Sequence, residues 1–301
     1  MTFIKTSTIQ DLVLGTAQFG FKYGIANNAG QPDQALATEI ISEAWKNGIR
    51  EFDTAQGYGT SEEVLGKALA ELKISKNAKI ITKFHPDLNH LDADVLEKSL
   101  DQSLRKLVIN RLYGIMLHRE KMLSLWRKGL AKILSRLVLS GKVLRIGVSV
   151  YSPEKAIEAL NTEGLDMVQV PTNILDRRFE KAGVFELARE KKKQIYIRSV
   201  FLQGLILMNP GEVPDRLSFA RHIPGTIESL ANLLNMTRRD IALGYIKEAI
   251  PNAKVILGVD LPSQVAENCH SWRRSNTASL VSHVKDFFAE VDERILNPAL
   301  W

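Results

Sequence analysis

Cys269 is the only cysteine among 301 residues, so no disulfide within the chain holds the fold. That scarcity suits a reducing compartment, and a cytoplasmic location is the expectation. No apolar run nears the roughly 20 residues that cross a bilayer. The opening Met1-Thr2-Phe3-Ile4-Lys5 lacks the charged and apolar regions of a secretory signal. The six histidines show no paired ligand spacing and no His-Glu-x-x-His motif, so no metal centre is expected. No Gly-x-Gly-x-x-Gly turn follows an early strand, which argues against an open dinucleotide-binding sheet. Concentrated charge is scarce too. The formal balance is +6, but the densest basic run is Lys191-Lys192-Lys193, close to Glu186 and Glu190. This reads as a solvated helix face, and neither nucleic acid nor a membrane is an expected partner. Part of the surplus is available to an anionic cofactor.

What is present is an alternation. Short β-rich runs at 12–15, 50–54, 79–83, 112–118, 144–150, 167–171, 194–199 and 254–259 are separated by amphipathic segments. Several runs are almost wholly apolar, as strands covered by helices require. Residues 34–47 carry Leu36, Ile40, Ala44 and Trp45 at helical spacing, with Gly48 as the stop. Ser61 is a candidate cap for the next helix, with Glu62 and Glu63 in its first turn. Further helices are expected over 92–107, 121–139, 153–160, 179–192, 236–249 and 262–272. Pro153 and Pro262 lie near helix starts. Eight β-then-α units imply an α/β fold, a (β/α)8 TIM barrel, and the length suits one domain over residues 1–301. Two features break the rhythm. One is a Pro- and Gly-rich connection over 201–225, and the other is a C-terminal helical extension over 278–301.

Barrel enzymes keep their chemistry at the carboxyl ends of the strands. There the sequence places Asp53, then Tyr58 five residues on, Lys83, His118, Ser149 and Gln169. Asp, Tyr, Lys and His form a proton-transfer set. An ammonium near Tyr58 should lower the phenol's pKa and make it a better acid toward a developing alkoxide. Asp53 would hold Lys83 by an ion pair, and His118 would donate to the carbonyl oxygen. Each residue alone also has a plainer role: Asp53 as a turn residue, Tyr58 as a loop aromatic, Lys83 as a solvated strand end, His118 as a structural histidine. No side chain here donates hydride, so a cofactor must supply the reducing equivalent.

The segment Phe52-Asp53-Thr54-Ala55-Gln56-Gly57-Tyr58-Gly59-Thr60-Ser61-Glu62-Glu63-Val64-Leu65-Gly66 resembles the aldo-keto reductase signature. Leu14-Gly15-Thr16, Thr82-Lys83, Leu117-His118, Gly147-Val148-Ser149 and Val168-Gln169-Val170 resemble that family's first, third, fourth, fifth and sixth strands. The likeness runs in order along nearly the whole chain. It implies NAD(P)H-dependent reduction of an aldehyde or ketone, with Tyr58 as proton donor and Asp53, Lys83 and His118 completing a tetrad. It also implies a nicotinamide dinucleotide extended across the barrel rim. Ser149 and Gln169 would hold the carboxamide, with Gly15, Thr16 and Asp53 near the nicotinamide ribose. Ser199, Leu202 and Gly204 would contact the pyrophosphate, and Gly258, Gln264, Glu267 and Asn268 the adenosine end.

There are departures. Val150 stands where many members have Asn, and Arg198 where an aromatic residue commonly stacks on the nicotinamide. Arg198 either stacks there or pairs with a carboxylate. Gly258 and Gln264 occupy positions where NADPH-preferring members often carry Lys or Arg. NADPH is the expected cofactor by family habit, with NADH the alternative. Phe19, Tyr23, Phe84 and Arg119 are the expected substrate contacts, and Arg119 favours a polar or anionic carbonyl compound such as a sugar derivative. Two other readings remain open at this point: a nicotinamide-binding regulatory or interaction subunit with little turnover, and a barrel isomerase or lyase acting on phosphorylated substrates.

Overall fold

A computed structural model describes residues 8–274, 279–298 and 301. The amino-terminal residues read above, Ala278 and residues 299–300 of the expected extension lie outside them.

Strands β1 (Leu12–Gly15), β2 (Glu51–Asp53), β3 (Lys79–Phe84), β4 (Gly114–Leu117), β5 (Ile146–Ser149), β6 (Met167–Pro171), β7 (Gln194–Arg198) and β8 (Lys254–Gly258) pair in parallel in chain order. β8 returns to β1, with Gly15 opposite both Asp53 and Gly258, and this closes the barrel. The protein is a (β/α)8 barrel. Several strands are one to three residues shorter than the sequence suggested, because the barrel ladder ends before the apolar pattern does. Leu112, for example, makes only an isolated bridge to Val143.

The covering helices are α1 (Gln34–Asn47), α2 (Ser61–Glu71), α3 (Ala93–Leu107), α4 (Leu130–Leu139), α5 (Pro153–Asn161), α6 (Arg178–Lys181), α7 (Val184–Glu190), α8 (His222–Leu234), α9 (Arg238–Ala249) and α10 (Pro262–Arg273). Asp33 caps α1 by accepting from the Leu36 N–H, and Gly48 ends it at φ 103°. Four expectations need correction. The expected 121–139 helix breaks at Gly129, whose φ of 123° no α-helix accommodates, and Glu120–Lys128 winds as a 3₁₀ segment. The 179–192 helix divides at Gly183, φ 71°, into α6 and α7. Helix α8 begins inside the expected 201–225 connection and was not anticipated; Pro224 falls within its first turn, where a missing N–H is harmless. Finally, Thr60 is the residue before α2, and Ser61 does other work described below. The expected helical extension contains α11 (Leu280–Phe287) and α12 (Glu293–Leu296).

Val13, Ile81, Met116, Met167, Tyr196 and Ile256 fill the barrel interior as a separate apolar cluster. A much larger cluster lies between strands and helices and includes Phe52, Ile80, Leu117 and Val168. Side chains alternate along a strand. Two residues beyond each interior residue, therefore, the same inward face carries Gly15, Lys83, His118, Gln169, Arg198 and Gly258. Asp53 and Ser149 follow Glu51 and Gly147 in the same way. The candidate site is thus the next layer of the barrel filling, at its open carboxyl end.

Part of the signature motif is packing. A Cβ added at Gly66 in α2 would lie 2.2 Å from the Lys106 carbonyl oxygen of α3. Backbone cannot yield as a side chain can. Gly66→Ala is expected to destabilise the fold by about 1–3 kcal/mol, the usual cost of overpacking. A urea midpoint that does not fall in Gly66→Ala would contradict this close approach.

Candidate active site

Asp53 and Lys83 are both buried, and Lys83 Nζ donates to Asp53 Oδ1 at 2.6 Å. The ammonium also donates to the Thr54 carbonyl oxygen at 3.0 Å. The second carboxylate oxygen accepts from Gln169 Nε2 at 2.9 Å. The Asp53 backbone carbonyl accepts from the Thr16 hydroxyl at 3.0 Å and the Thr16 N–H at 2.9 Å. Residues of β3 and β6 therefore fix the carboxylate, and the loop after β1 fixes the backbone that carries it. Ser61 belongs to the same support. Its hydroxyl donates to the Thr16 carbonyl at 2.7 Å and lies 3.0 Å from the Thr54 hydroxyl, tying the loops after β1 and β2 together.

Tyr58 hangs over this pair. The Lys83 ammonium lies 5.0 Å from the centre of the Tyr58 ring, and the His118 ring meets it edge-on with centroids 5.6 Å apart. The turn carrying Tyr58 needs its glycines. Gly59 has φ 53°, and a Cβ there would fall 2.5 Å from the Gly20 carbonyl oxygen. One at Gly20 would fall 1.6 Å from the Tyr58 carbonyl oxygen. The two loops touch backbone to backbone, and this sets where the phenol hangs.

The electrostatics differ from the sequence-based expectation. Burial is the largest influence on Tyr58 and pushes its pKa up, the Asp53 charge adds to this, and Arg198 opposes it only in part. The phenol is held protonated rather than acidified. Burial likewise lowers Lys83, with Asp53 opposing. For His118, burial comes first and the charges of Lys83, Arg198 and Arg119 follow, and together they bring it down to about 3. The imidazole is therefore neutral across the physiological range.

Asp53 and Tyr58 form part of the wall of a cleft of about 340 Å³ that runs over the carboxyl ends of β1, β2 and β6–β8. Of the residues expected to hold cofactor, Gly15, Thr16, Gln169, Arg198, Ser199, Leu202, Gly204, Gly258, Gln264 and Asn268 also line it. Ser149 is buried beside it without forming its wall, and Glu267 faces a separate groove. Gln18 Oε1 is buried in the cleft wall with no hydrogen-bond partner, and its side chain presses on Gly258. The loops after β1 and β7 meet along the cleft, where Ile25 N–H donates to the Gln203 carbonyl at 3.1 Å.

The Aldo/keto reductase family model matches residues 11–287. The chain belongs to that family. An aldo-keto reductase of Bacillus subtilis, YhdN, is 26% identical over 204 residues, covering 63% of this chain and 58% of that protein. The chain thus matches little more than half the length of that relative. The NADH-specific methylglyoxal reductase of Escherichia coli is 25% identical over 294 residues, 87% of this chain and 89% of that one. Among solved structures, aldo-keto reductase AKR11C1 from Bacillus halodurans superposes with a TM-score of 0.76 at 21% identity, covering 95% of each chain. Nicotinamide-dependent carbonyl reduction is the general kind of chemistry in the aldo-keto reductases.

Within this aldo-keto reductase, the expected substrate contacts divide. Tyr23 lines the cleft, whereas Phe19 and Phe84 are wholly buried in the outer core and form no part of its wall. The side-chain alternation along β3 turns Phe84 away from the barrel axis. Arg119 is exposed and outside the cleft wall, and reaches the site only through its charge on His118. Arg198 does not pair with a carboxylate among the described residues; its guanidinium lies 4.1 Å over the Tyr151 ring. Tyr151, Asp260 and Arg239 were not anticipated. Arg239 lines the cleft from α9, donating to Asn268 Oδ1 at 2.5 Å and Glu267 Oε2 at 2.6 Å. No strand-end rule points to a helix residue, so nothing in the sequence singled it out.

A pH prediction follows from the neutral imidazole. Between pH 5 and 8, His118 keeps one charge state in the folded protein, since its pKa lies near 3. His118→Gln is expected to lower kcat by a similar factor at every pH in that window. An acidic limb present in the native profile but absent from the His118→Gln profile would contradict this.

Proposed function

We propose that this protein reduces an aldehyde or ketone to the alcohol, with Tyr58 as the general acid. The observation that carries the reading is the packing of the Tyr58 ring against both the Lys83 ammonium and the His118 ring in the wall of a deep cleft. A phenol kept protonated by burial is a proton donor available at neutral pH. The ammonium beneath it opposes the loss of charge balance when the proton leaves for the carbonyl oxygen. Asp53 keeps the ammonium in place, and neutral His118 retains an N–H for the same oxygen. A bound reduced nicotinamide supplies the hydride to the carbonyl carbon.

The cleft fits a dinucleotide. Gly15 and Gly258 lie opposite each other on β1 and β8 and both line the cleft, with Ile256 and Gln18 packed against them. The unpartnered Gln18 Oε1 offers an acceptor, and the 3₁₀ turn Leu202–Gly204 presents backbone to the cleft. At the opposite end from Tyr58, Arg239 supplies a guanidinium suited to a 2′-phosphate, which supports NADPH over NADH. Glu267 offsets its charge in the free protein and must give way to that phosphate.

Two measurements test this. Tyr58→Phe is expected to cut turnover of a neutral aldehyde by about 10²–10⁴-fold with NADPH affinity kept, the usual range for loss of a general acid. Normal turnover in that variant removes the assignment. Tight NADPH binding with no aldehyde reduced by the native protein instead favours the regulatory-subunit reading. For cofactor choice, Arg239→Ala is expected to lower the NADPH-to-NADH affinity ratio by about tenfold or more, as loss of charged hydrogen bonds implies. An unchanged ratio, read by fluorescence titration with both nucleotides, contradicts the role given to Arg239.

A further inference from the structure

Arg198 is shared by two compartments. One is the long cleft; the other is a small cavity of about 40 Å³ between the ends of β5–β7 and the C-terminal segment. The cavity is lined by Tyr151, Asn173, Arg178, Leu296 and Pro298, and it shares Arg198, Ser199 and Leu202 with the cleft.

Its two arginines are in opposite situations. Arg178 is gripped by buried Asp176, with Nε to Oδ1 and Nη2 to Oδ2 both at 2.8 Å, so its charge and its fork are already used. Arg198 forms no salt bridge among the described residues. Two of its N–H groups donate to neutral oxygens, Ser199 Oγ and the Val150 carbonyl, and both contacts are long at 3.3 Å. A guanidinium carries five N–H donors, so most of this one's capacity is open. The Tyr151 ring, 4.1 Å away, covers one face and fixes the plane while leaving the edge of the fork accessible. A half-buried cation that is oriented, weakly bonded and without a counterion is a prepared anion site. Its field reaches the reacting groups: the Arg198 charge acts on Tyr58, Lys83 and His118. Arg198 and Tyr58 also line the same cleft, so a molecule held at Arg198 can extend along it toward Tyr58.

We propose that Arg198 is a specificity-determining residue that binds a carboxylate carried by the carbonyl substrate, in the small cavity beside the cleft. A carboxylate matches the planar fork in a bidentate way, and the cavity's size suits a small planar group. The proposal rests on the carbonyl-reductase reading for the word substrate, but not for the anion site itself.

The test compares charged and neutral isosteres. Calorimetric titration with benzoate and with benzamide is run on the native protein, Arg198→Met and Arg198→Lys. Native protein is expected to prefer benzoate by about tenfold or more. Arg198→Met should bring the ratio close to one, and Arg198→Lys should restore part of it. Equal affinity for both ligands in the native protein overturns the proposal. So does a parallel loss of both ligands in Arg198→Met, which is what a structural or cofactor-stacking role produces. The kinetic arm uses 4-carboxybenzaldehyde and benzaldehyde with NADPH. The preference for the carboxylate is expected in KM, and it should collapse in Arg198→Met. A benzoate preference that depends on Arg198, in a protein that reduces neither aldehyde, supports the anion site and refutes the reductase reading separately.

Discussion

A lysine ammonium and an aspartate carboxylate 2.6 Å apart, both almost shut off from water, are the constraint on which the barrel mouth is arranged. Removing two charges from water costs several kcal/mol each, on the order of what close contact returns. The pair persists because each partner holds a further hydrogen bond beside the ion pair. The ammonium has the Thr54 carbonyl, and the second carboxylate oxygen has Gln169. Such a cluster tolerates no half-measure, since deleting one member strands a buried charge. Its contribution is position. It fixes a cation beneath one phenol ring to within the tolerance of two hydrogen bonds.

Around that pair, burial decides the charge states. Tyr58 and His118 lose most of their water, and each is driven toward its neutral form, one upward and one downward. Lys83 and Asp53 cancel one another. Arg198 lines the mouth without a salt bridge among the described residues, and so does Asp260, whose carboxylate accepts from a neutral amide there.

How much of this was legible depended on whether a rule of period or of chemistry applied. The barrel came from eight alternations, and the tetrad from strand ends, because a period of two fixes which side chain follows which into the axis. Helix boundaries failed where a single glycine overrode a long apolar pattern, at Gly129 and Gly183. Phe84 failed for the opposite reason: alternation, applied strictly from Lys83, already turned it outward. Ser61 looked like a cap because it precedes two glutamates, yet its hydroxyl is taken by Thr16 and Thr54. The acidifying effect assigned to Lys83 was outweighed by a quantity that sequence does not carry, the extent of burial. Arg239 was invisible since it arrives from α9, and only the fold brings α9 to the cleft.

Asp53 and Lys83 sit on strands and Tyr58 on the turn after β2, while the loop after β7 carries a cluster of left-handed residues. Ser199, Leu202 and Gln203 all adopt left-handed backbone, with φ of 62°, 47° and 54°. Each such non-glycine residue costs roughly 1–3 kcal/mol unless its surroundings hold it. Here the holding comes from across the cleft. The Gln203 carbonyl accepts from Ile25 and Ala26, and Gly204, at φ 101°, lies so close to Ala26 that a Cβ would clash at 2.4 Å. The strained turn and the loop after β1 therefore stabilise one another, and both border the same cleft. Loosening either releases the other. The division is between a buried ion pair on the sheet and a strained loop at the border of the cleft.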